Sequence, residues 1–177
     1  MRFLIFLVFI FYINPSYSAT DDWTSYGKGS GGGHFSKADE ITPENVKKLE
    51  RVWVHRSGDY KGGANSAGVK GGEYQTSFQA TPLLVDDTLF YCTSYNRVFA
   101  LDPETGKEKW VFDPKLKKDG RAILACRGLS SWKDETKSSS EKCHHRIMGV
   151  TIDAELFSID GKSGEICNDF GLSLIHI

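Results

Sequence analysis

An excess of either charge is missing from this chain of 177 residues: 22 Lys and Arg stand against 23 Asp and Glu, a formal net charge of −1. Without a basic surplus nothing draws the protein onto nucleic acid or an anionic membrane surface, and both become poor candidates as partners. Long hydrophobic runs are also lacking. The one apolar stretch, Phe3 to Ile13, is too short to span a bilayer comfortably. Cysteine is scarce, four residues in all, and no Cys-x-x-Cys-His occurs, so that motif attaches no c-type haem.

What is present begins with a targeting segment. Arg2 supplies a positive start, the apolar run follows, and Ser16-Tyr17-Ser18 offers small residues at −3 and −1, so residues 1–18 read as a secretory signal. An uncleaved anchor is the alternative. The mature part is expected in a bacterial periplasm or on the periplasmic face of the inner membrane, where disulfides are possible. Cys126 and Cys143 flank a polar loop whose ends a bridge between them would tie, whereas Cys92, inside an apolar strand, reads as a buried thiol.

One string occurs twice. Val98-Phe99-Ala100-Leu101-Asp102-Pro103-Glu104-Thr105-Gly106-Lys107 returns as Leu156-Phe157-Ser158-Ile159-Asp160-Gly161-Lys162-Ser163-Gly164-Glu165, the two aspartates 58 positions apart. Each copy reads as an apolar strand, an Asp that ends it, a Gly-containing turn and a return strand. Repetition of a β-rich unit at this spacing points to a propeller, whose four or more blades need roughly 40 to 50 residues each. Two blades are visible, so the chain is expected to be a piece of a larger ring. Four Trp, seven Tyr and eleven Phe suit sheets packed on their faces.

The punctuation divides the chain accordingly. After the signal, residues 19–79 carry a Trp/Tyr-led opening, a Gly-rich loop and a short helix opened by Thr42 and Pro43. A strand at Val52 to His55 and a long Gly/Ser/Asn loop from Ser57 to Gly72 follow. Residues 80–112 form a first blade with strands at Pro82 to Val85, Thr88 to Thr93, Arg97 to Asp102 and Lys107 to Phe112. Residues 113–170 form a second, with strands at Ile123 to Arg127, Ile147 to Ile152, Glu155 to Asp160 and Glu165 to Phe170. Its insertion, Lys133 to Lys142, reads as a solvated loop. Residues 171–177 turn apolar without completing a third blade and read as a truncated, non-native end.

The first repeat extends to Trp110, giving Ala100-x-Asp102-x-x-Thr105-Gly106-Lys107-x-x-Trp110. An indole fixed on each fourth strand can stack on the next blade's peptide plane; the second copy has Asn168 at that position. This string resembles the tryptophan-docking motif of the eight-bladed quinoprotein dehydrogenases, which use pyrroloquinoline quinone (PQQ). Asp22-Trp23 through Tyr26-Gly27, Gln79-Ala80-Thr81-Pro82-Leu83, Asp87-Thr88-Leu89-Phe90-Tyr91-Cys92-Thr93, Cys126-Arg127-Gly128 and Cys143-x-x-Arg146-Ile147 extend the likeness over nearly all of the mature chain. Together they most resemble the membrane-associated glucose/quinate/shikimate branch.

The resemblance implies an all-β fold, the first blades of an eight-bladed propeller of four-stranded antiparallel sheets, incomplete here. It implies PQQ and Ca2+ as cofactors and a sugar, polyol or cyclic hydroxy acid as substrate. Hydride passes to PQQ, and electrons go on to ubiquinone at the membrane. It places Arg127 against the acidic groups of PQQ, which a guanidinium fork can bind through two hydrogen bonds. Without the family, a structural salt bridge is the commoner fate of such a residue. Gln79 falls where many members place a cofactor-contacting Glu; an amide still hydrogen-bonds but carries no charge. Thr151 is a weaker candidate, and Tyr95 falls in a turn where sugar-oxidising members tend to have His, with a plain surface tyrosine as the alternative.

Cys143-His144-His145 is assigned no metal, because neighbours on a strand point to opposite faces. No catalytic base is assigned within these residues, so the isolated chain is expected to be inactive. The competing reading is a non-enzymatic periplasmic propeller scaffold, which would need neither Arg127 nor the Trp23/Tyr26 opening.

Overall fold

The computed structural model describes residues 22–28, 31–59, 75–116 and 123–170. The signal expected over 1–18, the end at 171–177 and most of the loop from Ser57 to Gly72 lie outside the described residues. Among the described residues nine strands follow in order: β1 Gln75–Thr81, β2 Leu83–Val85, β3 Thr88–Cys92, β4 Val98–Leu101, β5 Glu108–Phe112, β6 Ile123–Gly128, β7 Ser130–Lys133, β8 His145–Val150 and β9 Leu156–Asp160. They form a four-stranded antiparallel sheet β2-β3-β4-β5, a three-stranded antiparallel sheet β7-β8-β9, and a parallel pair β1-β6.

The first blade is a meander made by tight turns. Asp86 and Asp87 both adopt positive φ (47° and 51°), the two-residue hairpin that suits the twist of the strands it joins. In β4 the run Val98-Phe99-Ala100-Leu101 is buried throughout, because this sheet is covered on both faces. One face carries Leu83, Val85, Phe90, Cys92, Val98 and Ala100, packed against Leu129, Ile147 and Ile159 of the second blade. The other carries Tyr91, Phe99 and Leu101, packed against Trp53 and Leu89. The register agrees: Phe90 faces Ala100 and Cys92 faces Val98, while Tyr91 faces Phe99 and Leu89 faces Leu101.

Two indoles lock the layers together. Trp110 on β5 donates Nε1–H to the carbonyl of Gly161 (3.2 Å) and lies so close over Gly164 that a Cβ there would sit 2.6 Å from the ring. Trp53 repeats the arrangement one layer earlier, donating to the carbonyl of Pro103 (3.1 Å) and covering Gly106 at the same 2.6 Å. Both glycines have positive φ (70° and 73°), so the turn and the close approach each require the missing side chain. The turns beneath are alike too. Asp102 Oδ1 accepts from Thr105 N–H (2.8 Å) and Oγ1–H (2.7 Å), and Asp160 Oδ1 accepts from Ser163 N–H (2.8 Å) and Oγ–H (3.0 Å).

Several expectations change. The helix expected from Thr42 and Pro43 is a single 3-10 turn, Val46–Lys48, since it buries none of its residues and so gains nothing from packing. Val52 to His55 joins no ladder among the described residues and is held through its side chains instead. Ile123 to Arg127, expected as the second blade's first strand, is β6, which leaves that blade to pair with β1; β7 takes the first position. The fourth strand expected at Glu165 to Phe170 reduces to a single bridge, Ile159 to Ile166. The insertion is not merely solvated. Lys137 and Arg146 both reach Asp169, the arginine through two bonds of 2.9 and 2.7 Å, and they hold that carboxyl well below its ordinary range.

Two outcomes follow for the full-length protein. Trp110→Ala is expected to destabilise it by about 3 kcal/mol, and Gly164→Ala by about 2 kcal/mol or more through clash and backbone strain, both read from chemical denaturation. Burial raises the pKa of Asp160, but N–H and O–H donors from Cys143, Ser163 and Lys162 outweigh it, and the net shift is downward from 3.8. Its contribution is therefore present above the unfolded carboxylate pKa and disappears as pH falls through the lower folded value. Asp160→Asn should flatten the loss of thermal stability on acidification below the ordinary carboxylate pKa of 3.8, relative to the parent; an equally steep profile would contradict this.

Candidate cofactor site on the inner strand pair

β1 and β6 each lead into the first strand of a blade, and they run side by side. Gln75 pairs with Ile123, and the register holds through Phe78 and Cys126, then shifts so that Thr81 meets Gly128. The shift leaves Gln79 and Ala80 opposite Arg127 alone. Such a bulge bends its strand and re-aims a side chain, and bulges collect beside functional sites. Along β6 Leu124 and Cys126 are buried, while Ala125 is half-buried and Arg127 exposed, so Arg127 projects from the face turned away from the core.

Thus the two residues singled out for the cofactor, distant in sequence, come together at one irregularity. Gln79 is exposed and its amide donates to Ser77 Oγ at 2.9 Å. Among the described residues no carboxylate pairs with Arg127, so the structural salt bridge does not form there. The turn carrying Tyr95 is tied to the same place, since Ser94 Oγ–H donates to the carbonyl of Ser77 (3.0 Å). Thr151 serves its own turn instead, being buried with its hydroxyl oxygen accepting from the N–H of Glu155 (3.2 Å). That turn is linked to the first blade by Asn96, buried with φ 56°, whose Oδ1 accepts from the N–H of Ile152 (3.0 Å).

The disulfides differ from the expected pairing. Cys92 is no free thiol: it bonds to Cys126, and Cys143 bonds to Cys167, each pair with Cα atoms 5.9 Å apart. Cys126 and Cys143 flank the insertion in sequence, but Cys126 lies on β6 and Cys143 in the turn that leads into β8, which belongs to another sheet. His144 Nδ1 turns to the carbonyls of Asp134 and Lys137, whereas His145 is buried between the blades. The cluster Cys143, Cys167 and Asp169 resembles a metal site by proximity alone, being a disulfide beside an arginine-bound carboxylate. No calcium-type set of oxygen ligands is among the described residues.

Two polar groupings were not foreseen. Glu108 accepts from His55 Nε2–H (2.7 Å), which leaves Nδ1 to accept from the hydroxyl of Tyr91. Burial, with Glu108 nearby, pushes Tyr91 up to about 12, so it stays a neutral donor. At the Asp86 end of β3 lies a cleft of about 230 Å³ whose walls include Asp86, Lys109, His145 and Lys162. His145 lies 2.8 Å from Ser131 Oγ and 3.5 Å from Asp86, and burial holds its pKa below the ordinary value. Asp86 is taken by Lys133 (2.8 Å) and Ser131 does not line the cleft, so the trio joins blades rather than presenting a nucleophile. The signal for Trp53 was legible: Arg51-Val52-Trp53-Val54 matches Glu108-Lys109-Trp110-Val111 in the position of its tryptophan.

The family model described as "PQQ: Glucose/ethanol/alcohol dehydrogenase, beta-propeller domain" matches residues 23–173. The chain belongs to this family. Quinoprotein glucose dehydrogenase of Escherichia coli (strain K12) is 36% identical over 157 residues, covering 86% of this chain and 19% of that protein. Quinoprotein glucose dehydrogenase A of Acinetobacter calcoaceticus is 34% identical over 165 residues, covering 86% and 20%. The quinate/shikimate dehydrogenase (quinone) of Acinetobacter baylyi is 30% identical over 168 residues, covering 86% and 19%. The chain thus spans about a fifth of the length of these relatives. Among solved structures, quinohemoprotein alcohol dehydrogenase from Comamonas testosteroni superposes with a TM-score of 0.60 at 24% identity, over 84% of this chain and 19% of that one, a likeness of fold.

Peptide mapping without reduction is expected to recover the peptide of Cys92 joined to that of Cys126, and Cys143 joined to Cys167. A Cys126–Cys143 peptide would contradict the arrangement.

Proposed function

We propose that this chain forms part of a PQQ-dependent dehydrogenase of the glucose/quinate/shikimate type, with Arg127 and Gln79 as contacts to the quinone. The supporting observation is their convergence at the β1-β6 bulge. There a guanidinium without an acidic partner among the described residues stands beside an amide on an open face. The donor set suits PQQ, a planar quinone bearing carboxylates. Arg127 would receive one carboxylate in a two-bond fork, and Gln79 would turn its N–H donors from Ser77 toward a neighbouring oxygen. When bound, PQQ supplies a two-electron acceptor for hydride from an alcohol carbon.

The protein's own part here is to bind and orient. The pleat of β6 sets the direction of Arg127, opposite to Cys126, and the turn bearing Tyr95 borders the same face and would select among sugars, polyols and cyclic hydroxy acids. We place the enzyme in the periplasm or on the periplasmic face of the inner membrane, with ubiquinone as acceptor and Ca2+ held by residues outside those described. A scaffold has no use for a guanidinium left without an acidic partner among the described residues at a bulge, so the scaffold reading gains no support from this site.

Titration of the full-length apoprotein with PQQ, followed by quenching of tryptophan fluorescence, tests the reading. Arg127→Ala should weaken binding by about tenfold or more, corresponding to roughly 1.4 kcal/mol per decade, with Arg127→Lys between it and the parent. Unchanged affinity in Arg127→Ala would remove Arg127 from the site. The isolated 177-residue chain is expected to show no PQQ-dependent dye reduction.

A further inference from the structure

We propose that the Cys92–Cys126 disulfide is a positioning element for the cofactor site, fixing the direction in which Arg127 projects. The inference rests on the reading of Arg127 given above. Cys126 immediately precedes Arg127 on β6, and neighbouring strand residues point to opposite faces. The covalent anchor therefore lies behind the strand while the guanidinium stands in front. Rotation of β6 about its own axis, the motion that would swing Arg127 away, is the motion a bond at position 126 prevents.

The surroundings make such an anchor necessary. Among the described residues β6 pairs with β1 alone, and a two-stranded parallel pair is weak. The register of that pair breaks between Phe78 and Thr81, where Arg127 sits, so the ladder cannot hold this residue in place. The other end of the bond is firm. Cys92 closes β3, is 1% exposed, and belongs to the core cluster with Phe90, Val98 and Ala100. Ser94, two residues further on, ties the same corner to β1 through the carbonyl of Ser77. Both sulfurs are buried, so the bond is shielded from thiol exchange and acts as a fixture rather than a switch.

The second disulfide is an internal control. Cys143–Cys167 closes a loop of similar length (sequence separation 24 against 34) at the base of the insertion, and neither of its cysteines lies on a strand or adjoins a candidate cofactor residue. Comparable stabilisation is expected from both. Only the first should influence the quinone.

The test uses the full-length protein in four forms: parent, Cys92→Ala/Cys126→Ala, Cys143→Ala/Cys167→Ala and Arg127→Ala, together with the triple variant Cys92→Ala/Cys126→Ala/Arg127→Ala. The dissociation constant for PQQ is read by fluorescence quenching at a temperature where circular dichroism shows all forms folded. Loss of Cys92–Cys126 should weaken binding about tenfold, whereas loss of Cys143–Cys167 should leave it within about twofold despite a similar fall in Tm. In the Arg127→Ala background, removing Cys92–Cys126 should cost little more, the non-additivity expected of two groups acting through one contact.

Unchanged affinity without Cys92–Cys126, or full additivity in the triple variant, overturns the inference. Unchanged affinity in Arg127→Ala itself instead overturns the reading it rests on. If the alanine pair does not fold, Cys92→Ala/Cys126→Val restores lost volume, and the same comparison is made with it. Failure of both while Cys143→Ala/Cys167→Ala folds also overturns the inference, because the bond is then a requirement of folding.

Discussion

The contact on which this architecture depends is an indole laid flat on a glycine of the next layer. Trp53 over Gly106 and Trp110 over Gly164 are the same contact made twice, each with a hydrogen bond from the indole N–H to a carbonyl of the turn beneath. Each satisfies two demands. A left-handed turn residue must be glycine, and a ring must approach closer than any Cβ allows. Because the turn is held by an aspartate accepting from its own loop, the surface on which the indole rests is preformed. The large apolar area of the ring is then buried against rigid backbone, which loses no side-chain entropy.

From that contact the burial of the first blade follows. A sheet locked on one side to Trp53 and on the other, through its own Trp110, to the following blade leaves its central strand β4 no solvent face. That strand is free to be apolar at every position, as it is. Chain length is spent on turns and edges instead. Trp23 pairs with Leu84 at the free edge of β2, and Ser131 at the start of the next blade donates its N–H to Thr24 (3.1 Å). The opening segment thus stitches the first strands of both blades. This gives Asp22-Trp23 a structural purpose beside its family likeness.

Much of this was legible because propeller grammar is local. The strands of the first blade fall within a residue or two of their expected places, since hairpins announce themselves through Asp86-Asp87 and Asp102 to Gly106, which lie within a few residues of the strands they join. What escaped is non-local. The pairing of β1 with β6 joins segments nearly fifty residues apart in parallel, and no turn records it. Both disulfides escaped for the same reason: proximity across the insertion suggested Cys126 with Cys143, whereas the partners are set by which strands the ring brings together. Gln79 and Arg127 came from family likeness, and their adjacency only from the register.

The register break links these features. A regular parallel ladder would have given Arg127 a fixed partner on β1 and a direction dictated by the pleat. The bulge, whose extra residue lies on β1, takes away the partner while β6 keeps its pleat, at the position where a guanidinium without an acidic partner among the described residues stands on the open face. Freedom of that kind is of use to a ligand only if the strand itself cannot turn. Of the bonds that β6 makes, the ladder ends in register at Cys126 and resumes at Gly128, one position on either side of Arg127. The covalent tie to β3 sits at the first of these, so the open position and its anchor are adjacent by construction. The chain achieves rigidity next to irregularity by placing a cross-link, rather than further hydrogen bonds, where the ladder gives out.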